Sequence, residues 1–254
     1  MTFLGTGTSQ GVPVIACNCE VCLSTDERDK RLRTSIMIES ELANLVVDTG
    51  PDFRQQMLRH TPDQLDAILL THEHNDHIIG MDDVRPFNFM QRRDMPIYAT
   101  EAVQVQLKKR FAYVFAEDRY PGAPMIKLLS IHKDVPFEVN GLPIQPIEVM
   151  HGRLPVLGFR IGDFTYLTDV KTIEEKEFEK VIGTRHLVLN ALHHRQHNTH
   201  LNLTEALEMI DRIQPEKAYL THVSHRMGRY TDIMKTLPEG VELTYDGLIL
   251  EIES

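Results

Sequence analysis

The sequence predicts an α/β fold, and three observations lead there. Compact apolar runs at residues 44–47, 67–70, 164–168 and 218–221 have the length of buried strands rather than helices. Helical spacing is clear at residues 52–60, 101–115, 174–181 and 203–213, and strand-like sequence fills most intervals between them. No repeat period, low-complexity tract or Gly/Ser linker divides the 254 residues, so the chain, residues 1–254, is expected to form one domain. A hydrophobic content of 42% supplies a core, yet no apolar run is long enough to cross a bilayer, so a soluble protein without a membrane partner is expected.

Along the chain, Gly5, Gly7 and Gly11 come first. Glycines at this density permit close backbone approach to a phosphate or turn a tight corner, but the lysine and spacing of a Walker loop are missing. The run CNCEVC at residues 17–22 then uses all three cysteines, Cys17, Cys19 and Cys22. Three thiols so close suit a closed structural zinc site in need of a fourth ligand, for which His225 is the best candidate. A disulfide is the competing reading. The odd count, the cytosol-like composition and the lack of a signal peptide at the first residues weigh against it, and a cytoplasmic location is expected. The strand at 44–47 closes on Asp48, which either orients a ligand histidine or serves as a turn carboxylate.

The most specific signal is THEHNDH at residues 71–77, directly after the strand at 67–70. Imidazole nitrogen and carboxylate oxygen are the ligands that divalent first-row ions favour, and alternate spacing lets His72 and His74 converge on one point while Asp76 and His77 face a second. Two ions need more ligands than one loop provides. Further along, His151 follows the strand-like residues 144–150, Asp169 follows 164–168, and His222 follows 218–221, so each candidate sits where a strand gives out. A pair of divalent ions about 3.5–4 Å apart can hold a hydroxide at neutral pH and polarise the bond it attacks, so hydrolysis is the expected chemistry. Phosphodiesters, thioesters, lactones and β-lactams all suit it.

With these residues in place, the chain resembles the metallo-β-lactamase superfamily of hydrolases, whose pattern H-x-H-x-D-H followed by a distant His, Asp and His is matched in order. The resemblance implies a four-layer αββα sandwich with the metal pair at one end of the sheets. It implies that His72, His74 and His151 hold one ion, that Asp76, His77 and His222 hold the other, and that Asp169 bridges them. The opening glycines, the cysteine run, residues 77–87 and residues 199–203 narrow the likeness to the branch typified by phosphoribosyl 1,2-cyclic phosphate phosphodiesterase. In that branch, and in the related transfer-RNA 3′ nucleases, a histidine at the place of His200 assists the leaving group. Asp76 and His200 are thus the expected catalytic residues, with two zinc or manganese ions at the active site and one structural zinc.

Breaking a P–O bond expels an alkoxide, to which a protonated imidazole can deliver a proton. His193, His194 and His197 share the stretch of His200 and compete for that role, and Arg85 is a candidate to pair with a substrate phosphate. Net charge bears on substrate size. With 27 basic and 37 acidic residues the formal balance is −10, and the basic clusters are short, so long nucleic acid is disfavoured and a small phosphodiester is the expected partner, acted on by a homodimer. The alternatives are an RNA-end nuclease, a thioester or lactone hydrolase, and a carrier of the pyrroloquinoline-quinone type. A complete two-metal ligand set counts against a pure carrier.

Overall fold

The computed structural model describes residues 1–252 and consists of two sheets face to face between two layers of helices. The first sheet holds β1 (Thr2–Gly5), β2 (Ser35–Glu39), β3 (Asn44–Val47), β4 (Ala67–Leu69), β5 (Met95–Ala99) and β6 (Ile126–Ser130), in that spatial order. Its first three strands are antiparallel, and β3 through β6 are parallel. The second sheet holds β7 (Phe137–Val139), β8 (Leu142–His151), β9 (Leu154–Ile161), β10 (Phe164–Leu167), β11 (His186–Asn190), β12 (Lys217–Thr221) and β13 (Val241–Leu243). Here β7 to β10 run antiparallel and β10 to β13 parallel.

The strands lack polar alternation because both of their faces are covered. Leu45 and Val47 point into the core between the sheets, whereas Val46 points at the helices. The second sheet divides the same way, with Val188 and Tyr219 facing inward and Leu187, Leu189, Ala218 and Leu220 facing outward. Against the first sheet pack α1 (Phe53–His60), α2 (Asn75–Ile78), α3 (Arg85–Gln91) and α4 (Glu101–Arg110), through Phe53, Ile78, Phe87 and Leu107. Against the second pack α5 (Glu175–Phe178), α6 (Leu203–Ile213) and α7 (Tyr230–Met234), through Phe178, Ala206, Ile210 and Ile233. Four layers in the order αββα result, as expected. Each fully buried Leu or Ile contributes about 1.5–3 kcal/mol, so three extended cores hold the layers together.

Two predicted helices are shorter than their sequence signal. The one expected over residues 101–115 starts at the Thr100 cap, whose hydroxyl accepts from Val103 N, and stops at Arg110. Residues 111–115 turn instead, because Phe111 and Val114 are both drawn into the core and the Tyr113 hydroxyl reaches Asp82. Val103, Leu107 and Phe111 pack on the first sheet, so α4 is a layer helix. The segment expected to be helical over 174–181 keeps only α5, followed by turns. By contrast, α6 spans the predicted residues, because Asn202 accepts from Glu205 N and the Glu205 carboxylate accepts from Asn202 N. Among the described residues no helix is long and apolar enough to cross a membrane.

Candidate metal centre

Parallel strands β3 and β4, and likewise β10 and β12, end at a common edge of the sandwich, where Leu157 N donates to Thr71 O (3.0 Å) and ties the two sheets together. The residues just past three of these ends, Asp48, Asp169 and His222, have φ of 65°, 58° and 55°. Left-handed backbone is unfavourable for residues with a side chain and recurs where function requires it. All three side chains are buried and turn into one cluster.

In the loop after β4, His74 caps the short α2, which carries Asp76 and His77. The His77 ring is held from behind by a 2.6 Å bond between its Nδ1 and the Asp48 carboxylate. Asp48 is itself held by Thr71, which donates from its backbone N (2.9 Å) and its hydroxyl (2.8 Å). Burial opposes charge on His77, but Asp169, Asp48 and Asp76 together outweigh it and raise its proton affinity well above the usual imidazole range. His151, the last residue of β8, donates through Nδ1 to the Thr199 carbonyl (2.8 Å), which leaves its other nitrogen free to face the cluster. His72 Nε2 and His74 Nδ1 stand 3.0 Å apart, and the His151 ring lies 5.3 Å from that of His74.

Asp169 sits between the two sets. One of its oxygens is 3.4 Å from His77 Nε2, and the other is 3.4 Å from His222 Nε2 and 3.7 Å from His200 Nδ1. Asp76 lies 3.3 Å from His77 Nε2 and 3.9 Å from His222 Nε2. By ligand-atom position three groups form: Asp76, His77 and His222; His72, His77 and Asp169; and His151, Asp169 and His200. The first matches the expected set for one ion. The expected trio of His72, His74 and His151 is gathered ring against ring, but His72 is turned onto His74, and its ligand nitrogen groups with His77 and Asp169 instead. His200 packs 4.4 Å from the His151 ring and 4.8 Å from that of His222.

The donor set fits divalent cations. His77 Nε2, both nitrogens of His222 and His200 Nδ1 are buried without a hydrogen-bond partner. Such orphans are costly unless something else satisfies them. Two ligands on a tetrahedral ion with bonds of about 2.1 Å stand about 3.4 Å apart, which is the spacing of His77 and His222 from the Asp169 carboxylate.

A second cluster lies apart from the first. Cys17, Cys19 and Cys22 place their sulfurs 3.3, 3.4 and 3.5 Å from His225 Nδ1, and none forms a disulfide. For zinc–sulfur and zinc–nitrogen bonds of about 2.3 and 2.1 Å, tetrahedral ligands separate by about 3.6 Å, so the four atoms suit one closed zinc site.

Three sequence expectations fare differently. Arg85 is bound to Asp82 through Nη2 (2.5 Å) and to the Asp82 carbonyl through Nε (3.2 Å), so its guanidinium serves a local pair rather than a free anion site. The opening glycines approach their own chain. A Cβ at Gly5 would lie 2.0 Å from Arg33 O, and one at Gly7 would lie 3.0 Å from Arg31 O. Of the competing imidazoles, His194 donates to Met227 O (2.7 Å) and His197 Nδ1 accepts from Thr199 N (3.3 Å), while His193 is buried. Thr71 and the Thr199 carbonyl escaped sequence reasoning. The place of Thr71 directly before His72 was the one available signal.

Comparison with known proteins places this geometry in a family. The model described as β-lactamase superfamily domain matches residues 43–223. A solved structure described as a new diphosphatase from the PhnP family superposes with a TM-score of 0.92 at 38% identity, covering 99% of this chain and 97% of the other. Zinc-bound PqqB from Methylobacterium extorquens superposes at 0.80 with 19% identity, covering 99% of each chain, and shows the shared fold. A curated protein of Porphyromonas gingivalis named octanoyltransferase is 41% identical over 247 residues, 96% of this chain and 50% of that protein. The chain thus spans half or less of the length of the curated relatives it matches. From the family match and from the likeness along its whole length, the chain belongs to the metallo-β-lactamase superfamily and resembles its PhnP-type phosphodiesterases.

Proposed function

We propose that the chain is a metal-dependent phosphodiesterase that hydrolyses small, including cyclic, phosphodiesters. The observation that carries this reading is the Asp169 carboxylate, which groups with His72 and His77 on one side and with His151 and His200 on the other, with His200 Nδ1 3.7 Å from one of its oxygens. His72, His74, His151, Asp76, His77 and His222 would hold two divalent ions, zinc or manganese, with Asp169 between them, and Cys17, Cys19, Cys22 and His225 would hold a structural zinc. When bound, a pair of such ions supplies an activated water at neutral pH and Lewis-acid polarisation of a phosphoryl oxygen.

The chain's own residues prepare that chemistry. Asp48 and the Thr199 carbonyl select the tautomers of His77 and His151 and aim their remaining nitrogens inward. His200 is the proton donor to the departing alkoxide. Burial, reinforced by the His222 imidazole, pushes its pKa down to about 2. A phosphate anion arriving beside it favours the charged form, the direction that the acid role needs. The PhnP-family diphosphatase supports phosphorus–oxygen cleavage in this scaffold. The net charge of −10 argues against a long nucleic acid as substrate. A second reading, hydrolysis of an acyl ester or thioester, is favoured by the octanoyltransferase name of the half-matching relative.

Hydrolysis of a ribose 1,2-cyclic phosphate, a 2′,3′-cyclic nucleotide, a thioester and a lactone, after reconstitution with zinc or manganese, decides between the two. Turnover of the cyclic phosphates alone is expected. Turnover of the thioester or lactone alone would move the activity to the second reading.

A further inference from the structure

A cavity of about 590 Å³ lies against the metal loop, between the ends of β5 and β6 and the start of β9. Glu73, which stands between His72 and His74 in sequence, forms part of its wall. So does Leu154, the partner of His151 across the β8–β9 hairpin. The cavity thus adjoins the three imidazoles expected at one ion. Its volume falls in the range of small-molecule sites, about 300–1,000 Å³.

Much of the wall is apolar, from Ile131, Val135, Phe137, Leu154 and Leu157. The Phe137 ring is stacked on Tyr98 (5.1 Å between centroids), which makes it a rigid aromatic surface. The charges in the wall are mainly acidic. Lys133 is taken up by Glu148 (2.6 Å) and His132 faces Asp134 (3.6 Å), whereas among the described residues the Glu73 and Glu101 carboxylates have neither a hydrogen-bond nor an ion-pair partner. A carboxylate accepts hydrogen bonds and donates none, so these two call for N–H donors and repel an anion. The apolar wall calls for a ring face or hydrocarbon, against which a bare ammonium would lose its hydration. A nucleobase with an exocyclic amino group meets both demands, with its faces against the apolar wall and its N–H edge at a carboxylate. Guanine offers two parallel N–H groups that match the two oxygens of one carboxylate, while uracil offers a single N–H flanked by carbonyls.

We propose that this cavity is a subsite for an amino-bearing nucleobase, packed against Phe137 and read by the Glu73 and Glu101 carboxylates. The substrate class narrows to small nucleotide phosphodiesters, whose phosphate reaches the metal cluster while the base occupies the cavity. The assignment rests on the phosphodiesterase reading only for the phosphate at the cluster.

Calorimetric titration of the zinc-loaded protein tests it without turnover. The probes are the 2′-, 3′- and 5′-monophosphates of guanosine and of uridine, each compared with ribose 5-phosphate. At least one guanosine monophosphate is expected to bind about tenfold or more tighter than ribose 5-phosphate, and about fivefold or more tighter than its uridine counterpart. Ala102 is an exposed lining residue at the start of α4, and Ala102→Trp should fill the cavity and bring guanosine within about twofold of ribose 5-phosphate at an unchanged zinc content. Glu73→Gln and Glu101→Gln should narrow the gap between guanosine and uridine. No preference for guanosine over ribose 5-phosphate at any phosphate position, or one that survives Ala102→Trp, would overturn the subsite. A guanosine preference over uridine that survives both glutamine substitutions would overturn the reading of the amino group. Absence of cyclic nucleotide turnover with the base preference intact would instead overturn the phosphodiesterase reading and leave the subsite standing.

Discussion

Asp48→Asn probes the support of the metal centre with little disturbance of shape. Asparagine is among the few residues that tolerate left-handed backbone, so the φ of 65° at this position is not a confounding strain. The chemistry does change. The carboxylate takes His77 Nδ1–H at 2.6 Å on one oxygen and Thr71 N–H at 2.9 Å on the other. An amide can accept from only one of these, and its NH2 group must face the other donor. A buried donor left unsatisfied costs about 1–3 kcal/mol. Loss of a partner that orients a ligand histidine typically weakens metal binding by about 10–100-fold, or about 1.4–2.7 kcal/mol. Competition with a calibrated chelator reads the affinity of each ion. The ion held by His77 should weaken by that factor while the zinc held by the cysteines keeps its affinity. Unchanged affinity at both positions would refute the orienting role of Asp48.

Other perturbations separate the remaining parts of the account. Gly50→Ala would bring a Cβ within 2.1 Å of Asp76 O, so the metal loop must shift, and both thermal stability and metal occupancy should fall; retention of both would show that the packing of Gly50 on the loop is unimportant. Cys19→Ser should remove one zinc per chain and lower the melting temperature while sparing part of the activity, and an unchanged zinc count would remove the structural site. His200→Ala should slow diesters with poor leaving groups far more than nitrophenyl diesters, and equal losses would contradict the acid role. Burial pushes the pKa of Asp246 up to about 6, above the value of about 3.9 for the unfolded chain. Between these values the folded state retains a proton that the unfolded state has lost, so the contribution of Asp246 to stability is greatest below about pH 4 and falls as pH rises to about 6. Asp246→Asn should remove about 3 kcal/mol of that fall in urea unfolding, whereas parallel curves for the two proteins would contradict it.

Much of the cluster was legible because its chemistry is written locally. Three of the candidate ligands and Asp76 lie within six residues, and His151, Asp169 and His222 each close a strand-like run. The helical spacing at residues 203–213 likewise placed α6 in advance. What escaped depends on side-chain contacts that the order of residue types does not record. Arg85 reads as a free cation until Asp82 is seen to hold it. The end of α4 is decided by Phe111 and Val114 entering the core and by Tyr113 reaching Asp82, none of which helical periodicity records. His193, His194 and His197 look equivalent in a row, yet one is buried, one donates to Met227 and one accepts from Thr199.

Filling of the paired sites and hydrolysis should go together. Metal-free protein titrated with zinc or manganese, with cyclic phosphate hydrolysis followed at each addition, tests this directly. Activity should remain low while the cysteine site fills and should saturate only when three ions are bound per chain, two at the Asp169 cluster and one at the cysteines. Full activity with a single ion, or none at any loading, would contradict it.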